Sequence, residues 1–335
     1  MSAPRNTILC GDALARLREL PDACVQTCVT SPPYFGLRDY GHDGQIGLEA
    51  TPEEYVASLV AVFREVRRVL RDDGTLWCNL GDSYAGSGRG AWDVDEATKD
   101  AAGVKETYRP RIAPVGNTAR EAAVTKGAGE SRCPLGLKPK DLMFMPHRVA
   151  MALQADGWWA RSTVIWHKPN PMPESVTDRP TKSHEYLFLL SKSARYFYDA
   201  DAIKEPAIHA GKVVTNDNGK NGQMGQYGAT RGGFLRDGGV TVSENRNKRD
   251  VWTIPTQPCP EARFAVMPEA LVEPCVLAGS RPGDVVLDPF FGAGTVGLVA
   301  LRLDRDFVGI ELNPAYVEIA ERRLAPLRAQ GRLFA

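Results

Sequence analysis

The stretch around residue 290 constrains the fold of this chain more than any other. An apolar run from Asp284 to Asp288 is followed by a turn that contains Gly292 and Gly294, and then by apolar residues at helical spacing up to Leu303. This order predicts a buried strand, a glycine turn and a helix, as in α/β folds. Because glycine has no side chain, the backbone of such a turn can approach a bound ligand closely.

Two acidic residues at strand ends indicate which ligand the turn admits. The next predicted strand ends in Glu311, where a carboxylate suits a ribose diol. The turn and the helix after it, up to Gly297, also carry glycines at the spacing of a nicotinamide-dinucleotide fingerprint. An oxidoreductase therefore stays open on the glycines alone. Asp288 argues against it, because a carboxylate at the strand tip repels a pyrophosphate and suits a cationic ligand.

A second motif, Ser31-Pro32-Pro33-Tyr34, follows the predicted strand from Val25 to Thr30. Its prolines lack an N–H group and hold the backbone extended, which leaves carbonyl oxygens free to accept protons. Such acceptors suit the exocyclic amine of cytosine or adenine, whose lone pair is conjugated with the ring. If Ser31 and the Pro32 carbonyl accept its two protons, the nitrogen pyramidalises and becomes nucleophilic. The motif thus predicts catalysis by positioning and electrostatics.

Together the two motifs resemble those of the amino-group DNA methyltransferases, which use S-adenosylmethionine. The catalytic-type motif comes first and the cofactor-type motif last, which is the circularly permuted order of the family's β group. The resemblance implies an α/β, Rossmann-like S-adenosylmethionine methyltransferase fold, with helices on both faces of a twisted, mostly parallel sheet. It implies a site-specific enzyme that methylates N4 of a cytosine flipped out of double-stranded DNA. Serine at the first motif position favours N4; N6 of adenine is the alternative.

The resemblance also assigns individual residues. Those of the first motif would be catalytic: Ser31, Pro32, Pro33 and Tyr34, with the tyrosine stacked on the base. The cofactor would be bound by Asp12, Phe264, Asp288, Pro289, Phe290, Gly292, Gly294, Thr295 and Glu311. Asp12 would accept a hydrogen bond from the adenine amino group, and it is equally suited to cap the helix predicted after it. Base-pocket elements of the family correspond here to Trp166, Lys168 and Glu185.

The chain divides into parts of one domain. Residues 1–204 would form its catalytic half with an irregular insertion at 85–139, residues 205–250 a target-recognition insertion, and residues 251–335 its cofactor-binding half. Irregular stretches of this length are usually functional or disordered. Basic side chains of the second stretch, together with Lys168 from the base-pocket elements, would contact DNA. They are Lys168, Arg231, Arg236, Arg246, Lys248 and Arg249.

Composition limits the alternatives. The 41 Lys and Arg balance the 41 Asp and Glu, so DNA binding requires that charge be segregated over the surface. The 7 cysteines are scattered, which fits a reduced, cytoplasmic protein, and their spacing predicts no metal site. No apolar run approaches the ~20 residues of a membrane span.

Functions from other classes remain open. A nicotinamide oxidoreductase would leave the Ser31–Tyr34 motif unused. A protein-glutamine methyltransferase shares Pro-Pro-Tyr, but usually begins it with Asn and in the unpermuted order. A non-catalytic DNA-binding module would need only the basic insertion. Beyond DNA, a cognate restriction endonuclease and a homodimer stay open as partners.

Overall fold

The computed structural model describes residues 4–37, 42, 44–85, 137–214, 240–259 and 266–331. The strands are β1 (Thr7–Cys10), β2 (Val25–Thr30), β3 (Leu70–Leu80), β4 (Trp159–His167), β5 (His184–Ser191), β6 (Glu205–Pro206), β7 (Val213–Val214), β8 (Val240–Thr241), β9 (Asn245–Arg246), β10 (Val251–Thr253), β11 (Val285–Asp288) and β12 (Asp306–Glu311). The helices are α1 (Ala13–Glu19), α2 (Pro52–Val69), α3 (Met145–Ala155), α4 (Glu269–Gly279), α5 (Thr295–Arg302) and α6 (Pro314–Gly331), with a short 3-10 turn at Asp201–Ile203.

One sheet of 8 strands forms the centre, in the order β1-β12-β11-β2-β3-β5-β4-β10. Neighbouring strands run parallel except at β5, which is antiparallel to both β3 and β4. Strands β2 and β11 are buried along their whole length, as parallel strands covered on both faces require. The predicted mostly parallel sheet is therefore confirmed, and the reversed strand β5 is an addition to it.

Helices cover both faces of this sheet. Successive residues of a strand point to opposite faces, and in β2 Cys28 packs with one hydrophobic cluster while Val29 packs with another. The first cluster contains side chains of α1, α2 and α3, such as Phe63. The second contains side chains of α4, α5 and α6, such as Val276. The three-layer, Rossmann-like arrangement predicted from the sequence is confirmed.

The order of the strands shows the permutation. Strand β1 pairs with β12, and β11 lies between β12 and β2, so the C-terminal part of the chain completes a sheet that the N-terminal part begins. The boundaries predicted at 204 and 250 stay predictions. Two short ladders, β6 with β9 and β7 with β8, join the two ends of the 205–250 segment. Most of the irregular insertion predicted at 85–139 lies outside the described residues.

Local signals explain where α2 begins. Thr51 accepts a hydrogen bond from the Glu54 N–H at 3.1 Å, and the Glu54 carboxylate accepts one from the Thr51 N–H at 3.2 Å. This capping box is typically worth about 1 kcal/mol. Among the helices of the described ranges, none is long and apolar enough to cross a membrane.

Candidate active site

One cavity lies at the carboxyl edge of the sheet, which we define as the edge where its parallel strands end. It has a volume of about 390 Å³ and is lined by residues of both sequence motifs. The residues Ser31 to Tyr34 follow β2, while Asp288 ends β11 and Glu311 ends β12. Because these strands are neighbours or near neighbours in the sheet, their ends converge. The catalytic-type and cofactor-type motifs therefore share one cavity.

Asp288 is almost fully buried, with 2% of its surface exposed. Its Oδ1 accepts hydrogen bonds from the Thr30 hydroxyl at 2.7 Å and from the Phe290 N–H at 3.0 Å. Burial raises the pKa of Asp288 to about 7, with the charge of Glu311 acting in the same direction and the two hydrogen bonds opposing it. No cation among the described residues contributes to this balance. A positively charged ligand would supply the missing charge.

Glu311 connects β12 to the glycine turn. Its Oε2 accepts a hydrogen bond from the Gly292 N–H and its Oε1 accepts one from the Asn313 N–H, each at 2.8 Å. Burial raises the pKa of Glu311, and these backbone hydrogen bonds oppose the rise. Each carboxylate oxygen keeps a further lone pair that can accept from a ligand hydroxyl.

The glycines of the turn differ in position. Gly292 (φ 51°) and Gly294 (φ 81°) both have left-handed backbone, which favours glycine. Gly292 lines the cavity, whereas Gly294 is absent from its lining and caps α5. Phe291 lies against Gly309 of β12, where a Cβ atom would come within 2.5 Å of the ring. Gly294 thus contributes to the turn on the side away from the cavity. Gly309 leaves room for the Phe291 ring, which packs beside the turn.

The other cofactor candidates lie on the same cavity where they are described. Asp12, Pro289, Phe290 and Thr295 all line it. Asp12 also caps α1, since its carboxylate accepts a hydrogen bond from the Ala15 N–H at 2.8 Å. The cap is thus formed, and the predicted contact with adenine is compatible with it. Phe264 lies outside the described residues.

The first motif lies on the wall of the cavity. Ser31, Pro32, Pro33 and Tyr34 all line the cavity. The Pro33 carbonyl accepts a hydrogen bond from the Tyr55 hydroxyl at 2.7 Å, so it is already used. Within the described part of the chain, no group donates to the Pro32 carbonyl. The carbonyl that remains for a ligand amine is therefore that of Pro32, next to the Ser31 hydroxyl.

A polar group of four side chains, here called the Tyr34 cluster, forms the adjoining wall. It consists of Tyr34, Asn79, Lys168 and Glu185. The Tyr34 hydroxyl donates to Glu185 Oε2 at 2.7 Å, and Asn79 Nδ2 lies 2.9 Å from both that oxygen and the Tyr34 hydroxyl. Lys168 Nζ forms an ion pair with the other carboxylate oxygen, Oε1. Glu185 thus accepts from all three partners.

Burial acts differently on the two acids of the Tyr34 cluster. It raises the pKa of the Tyr34 phenol far above its ordinary value, and the negative charge of Glu185 adds to the rise. For Glu185, burial favours the neutral form, but the charge and hydrogen bond of Lys168, with the hydrogen bonds of Tyr34 and Asn79, outweigh it and lower the pKa. At neutral pH the cluster therefore holds a neutral phenol and an ionised carboxylate.

Further residues shape this wall. Trp166 lines the cavity, its Nε1 donates to the Ile254 carbonyl at 2.8 Å, and Lys168 Nζ lies 4.3 Å from the centre of the ring.

A Cβ atom at Gly81 would come within 2.5 Å of the Tyr34 ring. Neither Asn79 nor Gly81 had a role predicted from the sequence. A polar residue within the otherwise apolar segment 76–80, which ends β3, is the signal that would have pointed to Asn79.

Comparison with known proteins assigns the family. The family model described as DNA methylase matches residues 25–322. The chain belongs to the DNA methylase family. It is 46% identical over 318 residues to the Type II methyltransferase M.Cfr9I of Citrobacter freundii, covering 95% of this chain and 87% of that protein. It is also 46% identical over 317 residues to the Type II methyltransferase M.SmaI of Serratia marcescens, covering 95% and 90%.

Solved structures share the fold of this methylase. The PvuII DNA methyltransferase, which is cytosine-N4-specific, gives a TM-score of 0.58 at 16% identity, covering 95% of this chain and 86% of that one. A Thermus thermophilus protein solved with S-adenosyl-L-methionine gives 0.54 at 23% identity, covering 96% and 94%. The methylase is a type II DNA methyltransferase of the N6/N4 group, and the predicted methyltransferase fold is confirmed.

The cofactor of this methylase is S-adenosylmethionine, as predicted. When bound, it supplies an electrophilic methyl group on a positively charged sulfur. The cavity fits such a ligand, because Asp288 is a buried acid without a cationic partner in the described residues and Glu311 lies at the neighbouring strand tip. We expect Asp288 to face the cationic end and Glu311 the ribose.

The predicted DNA contacts of the methylase are placed only in part. Arg246 and Arg249 both form ion pairs with Glu205, at 2.9 Å and 2.7 Å, and Lys248 lies 5.0 Å from the centre of the Trp252 ring. Lys168 belongs to the Tyr34 cluster, so its predicted role at DNA would be at the target base. The remaining two, Arg231 and Arg236, lie outside the described residues.

Proposed function

We propose that this methylase transfers the methyl group of S-adenosylmethionine to N4 of a cytosine that is flipped out of a specific double-stranded DNA sequence. The observation that carries the proposal is the pair of acceptors at the cavity, the Ser31 hydroxyl and the Pro32 carbonyl. They lie on the same cavity as the expected cofactor residues. An amine with two protons fits this pair.

The chemistry follows from the two acceptors. Each accepts a hydrogen bond from one N–H of the amine, which draws the nitrogen lone pair out of conjugation with the ring. With the cofactor bound, the nitrogen would attack its methyl group in line, the carbon–sulfur bond would break to leave a neutral thioether, and the methylated amine would lose one proton to solvent. No covalent bond to the enzyme is needed. The protein contributes position and local charge, which together can account for several kcal/mol of the barrier.

The choice of cytosine rests on Ser31 and on the walls of the cavity. Adenine offers the same two protons, so the amine itself does not distinguish the bases. A pocket for a pyrimidine should be smaller than one for a purine. Tyr34, fixed by its cluster, and Trp166 would close on the two sides of a flipped base.

Mass spectrometry of digested DNA tests the proposal. DNA from a methylation-free host that expresses the chain should contain N4-methylcytosine, and sequencing of modified positions should give one recognition sequence. DNA from a host that expresses Ser31→Ala should contain far less. N6-methyladenine as the main product would overturn the assignment of the base.

We also propose a restriction endonuclease of the same sequence specificity as a partner in the cell, supported by the type II methyltransferases to which the chain is similar. Host DNA modified by this chain should resist that nuclease, and the Ser31→Ala host should not be protected. The homodimer stays a prediction, which sedimentation with and without DNA tests directly.

A further inference from the structure

We propose that Glu185 is a positioning residue that fixes the direction of a hydrogen-bond chain and thereby makes Ser31 an acceptor for the target amine. The chain runs from the Ser31 hydroxyl through the Tyr34 hydroxyl to Glu185. The inference rests on the proposed transfer to an exocyclic amine, and it applies to cytosine and adenine alike.

The direction matters because a hydroxyl can either donate or accept. The amine presents protons, so a Ser31 hydroxyl that also presents its proton would repel the base instead of activating it. In the structure Ser31 Oγ lies 3.4 Å from the Tyr34 hydroxyl in a geometry that lets serine donate. This distance is long for a hydrogen bond between hydroxyls, and such contacts commonly tighten when the substrate enters.

The direction is set from the Glu185 end of the chain. An ionised carboxylate can only accept, and Lys168 keeps Glu185 ionised by pairing with its other oxygen. The single proton of the Tyr34 hydroxyl is therefore committed to Glu185, at 2.7 Å. The Tyr34 oxygen can then only accept from Ser31, so the Ser31 proton points away from the amine. One lone pair of Ser31 Oγ faces Asn79 Nδ2 at 3.5 Å, and the other is left to accept from the amine.

The Asn79 amide favours this direction of the hydrogen-bond chain and cannot turn over to favour the reverse direction. Its Nδ2 donates to Glu185 and Tyr34 at 2.9 Å each and faces Ser31 Oγ at 3.5 Å, which is consistent with acceptors at all three positions. Its Oδ1 is buried without a hydrogen-bond partner in the described structure. Turning the amide over would bury both N–H groups where Oδ1 now lies, at the cost of unsatisfied donors.

The variant Glu185→Gln tests the inference with little change in shape. Its amide oxygen would keep the contact with Lys168, so its NH2 group would face Tyr34. The Tyr34 hydroxyl would then accept from glutamine and donate to Ser31, and the Ser31 proton would face the amine. We expect kcat to fall about 100-fold, comparable to the loss of one transition-state hydrogen bond. S-adenosylmethionine affinity and KM for DNA should stay within about threefold, because the reversal opposes proton acceptance in the reaction more than binding.

A second substitution separates this role from simple support of the loop. Tyr34→Phe breaks the chain between Glu185 and Ser31 and leaves the Ser31 hydroxyl free to rotate, so we expect a smaller loss, of about tenfold. The double variant Tyr34→Phe with Glu185→Gln should match Tyr34→Phe alone, and thus be about tenfold faster than Glu185→Gln. If removing the Tyr34 hydroxyl restores activity to Glu185→Gln, general structural damage cannot be the cause, because a second damaging change would only lower activity further.

The outcomes are distinct. A double variant as slow as Glu185→Gln, or slower, would overturn the inference, and so would a Glu185→Gln variant with unchanged kcat. Calorimetry with S-adenosylmethionine shows that each variant is folded. Failure of the inference would leave the wild-type product unchanged, whereas failure of the proposed function would show as a different methylated base, or none, in wild-type DNA.

Discussion

The fold raises the pKa of Asp288 into the physiological pH range. A carboxyl group with a pKa of about 7 is half protonated near neutrality, although an aspartate in water is almost fully ionised. Burial at the tip of β11 is the main cause, and no described cation offsets it. The cofactor brings a positive charge to this place, so cofactor binding and the ionisation of Asp288 should be coupled.

We therefore predict that affinity for S-adenosylmethionine depends on pH. Binding favours the ionised form of Asp288, so affinity should be highest above pH 7 and should fall by up to about tenfold for each unit below it. Calorimetry between pH 5.5 and pH 8.5 (chosen to span about 1.5 units on each side) measures this. Asp288→Asn is the matched control and should bind weakly with a flatter profile. A wild-type affinity that does not change with pH would contradict the coupling.

The stability of the free protein should change in the opposite direction. The folded pKa of Asp288 lies above its unfolded value, so its contribution to stability is fully present below the unfolded pKa and is lost as pH rises through about 7. Between pH 6 and pH 8, a range of about one unit on each side, the Tm of the wild type should fall relative to that of Asp288→Asn. Parallel melting curves in the absence of cofactor decide this.

Glu311 gives a prediction that separates the two ligands. Glu311→Ala removes the carboxylate expected at the ribose and the acceptor for the Gly292 N–H. Cofactor affinity should fall about 10- to 100-fold, as for the loss of a charged hydrogen-bond acceptor. DNA affinity should change little, and fluorescence anisotropy with labelled DNA measures it. Equal losses for both ligands would indicate general unfolding instead.

At the scale of elements, two glycines each make room for one aromatic ring beside the cavity. Gly81 follows β3 and leaves space for Tyr34, while Gly309 lies in β12 and leaves space for Phe291. In both places a Cβ atom would come within 2.5 Å of the ring. Both rings are thus positioned by glycines that lie outside the lining of the cavity.

These glycines form a matched pair of tests. Gly81→Ala should displace Tyr34 and lower kcat by about 100-fold, because small misplacements of reacting groups are costly. Gly309→Ala should displace Phe291 and the glycine turn, which should weaken cofactor binding and lower stability by about 1–3 kcal/mol. Steady-state kinetics should show the loss of kcat in Gly81→Ala, and calorimetry should show the loss of cofactor affinity in Gly309→Ala. Adding Phe291→Leu to Gly309→Ala should recover part of the stability.

The ladder of β6 and β9 leads to a prediction about DNA. Its ion pairs hold Arg246 and Arg249 on one carboxylate, Glu205, whose pKa they lower despite its partial burial. Two cations on one anion leave a net positive charge there. Replacing Lys248 and Arg249 by alanine should weaken DNA binding and reduce the slope of log K against log salt by roughly 1 for each phosphate that is no longer neutralised. Arg5→Ala, before β1 at the other end of the strand order from β10, is the control and should leave the slope unchanged.

At the scale of the whole molecule, the sequence predicts what is local and periodic. Strand β2 was predicted with its observed limits, since an apolar run marks it. The reversal of β5 was not predicted, because an apolar strand carries no signal of its direction. The Tyr34 cluster could not be assembled from sequence either, since Tyr34 and Glu185 lie 151 positions apart. Only the folded sheet brings the two together.

The pairing of β1 with β12 has a consequence for how the enzyme is made. The ribosome releases β1 and β2 first, but β12 and β11, which lie between them in the sheet, are synthesised after all its other strands. Until then the sheet lacks its middle, and the nascent chain has neither Asp288 nor Glu311. A chain that ends at Ser280 should therefore show no heat of cofactor binding in calorimetry. We therefore expect chains that lack β11 and β12 to transfer no methyl group.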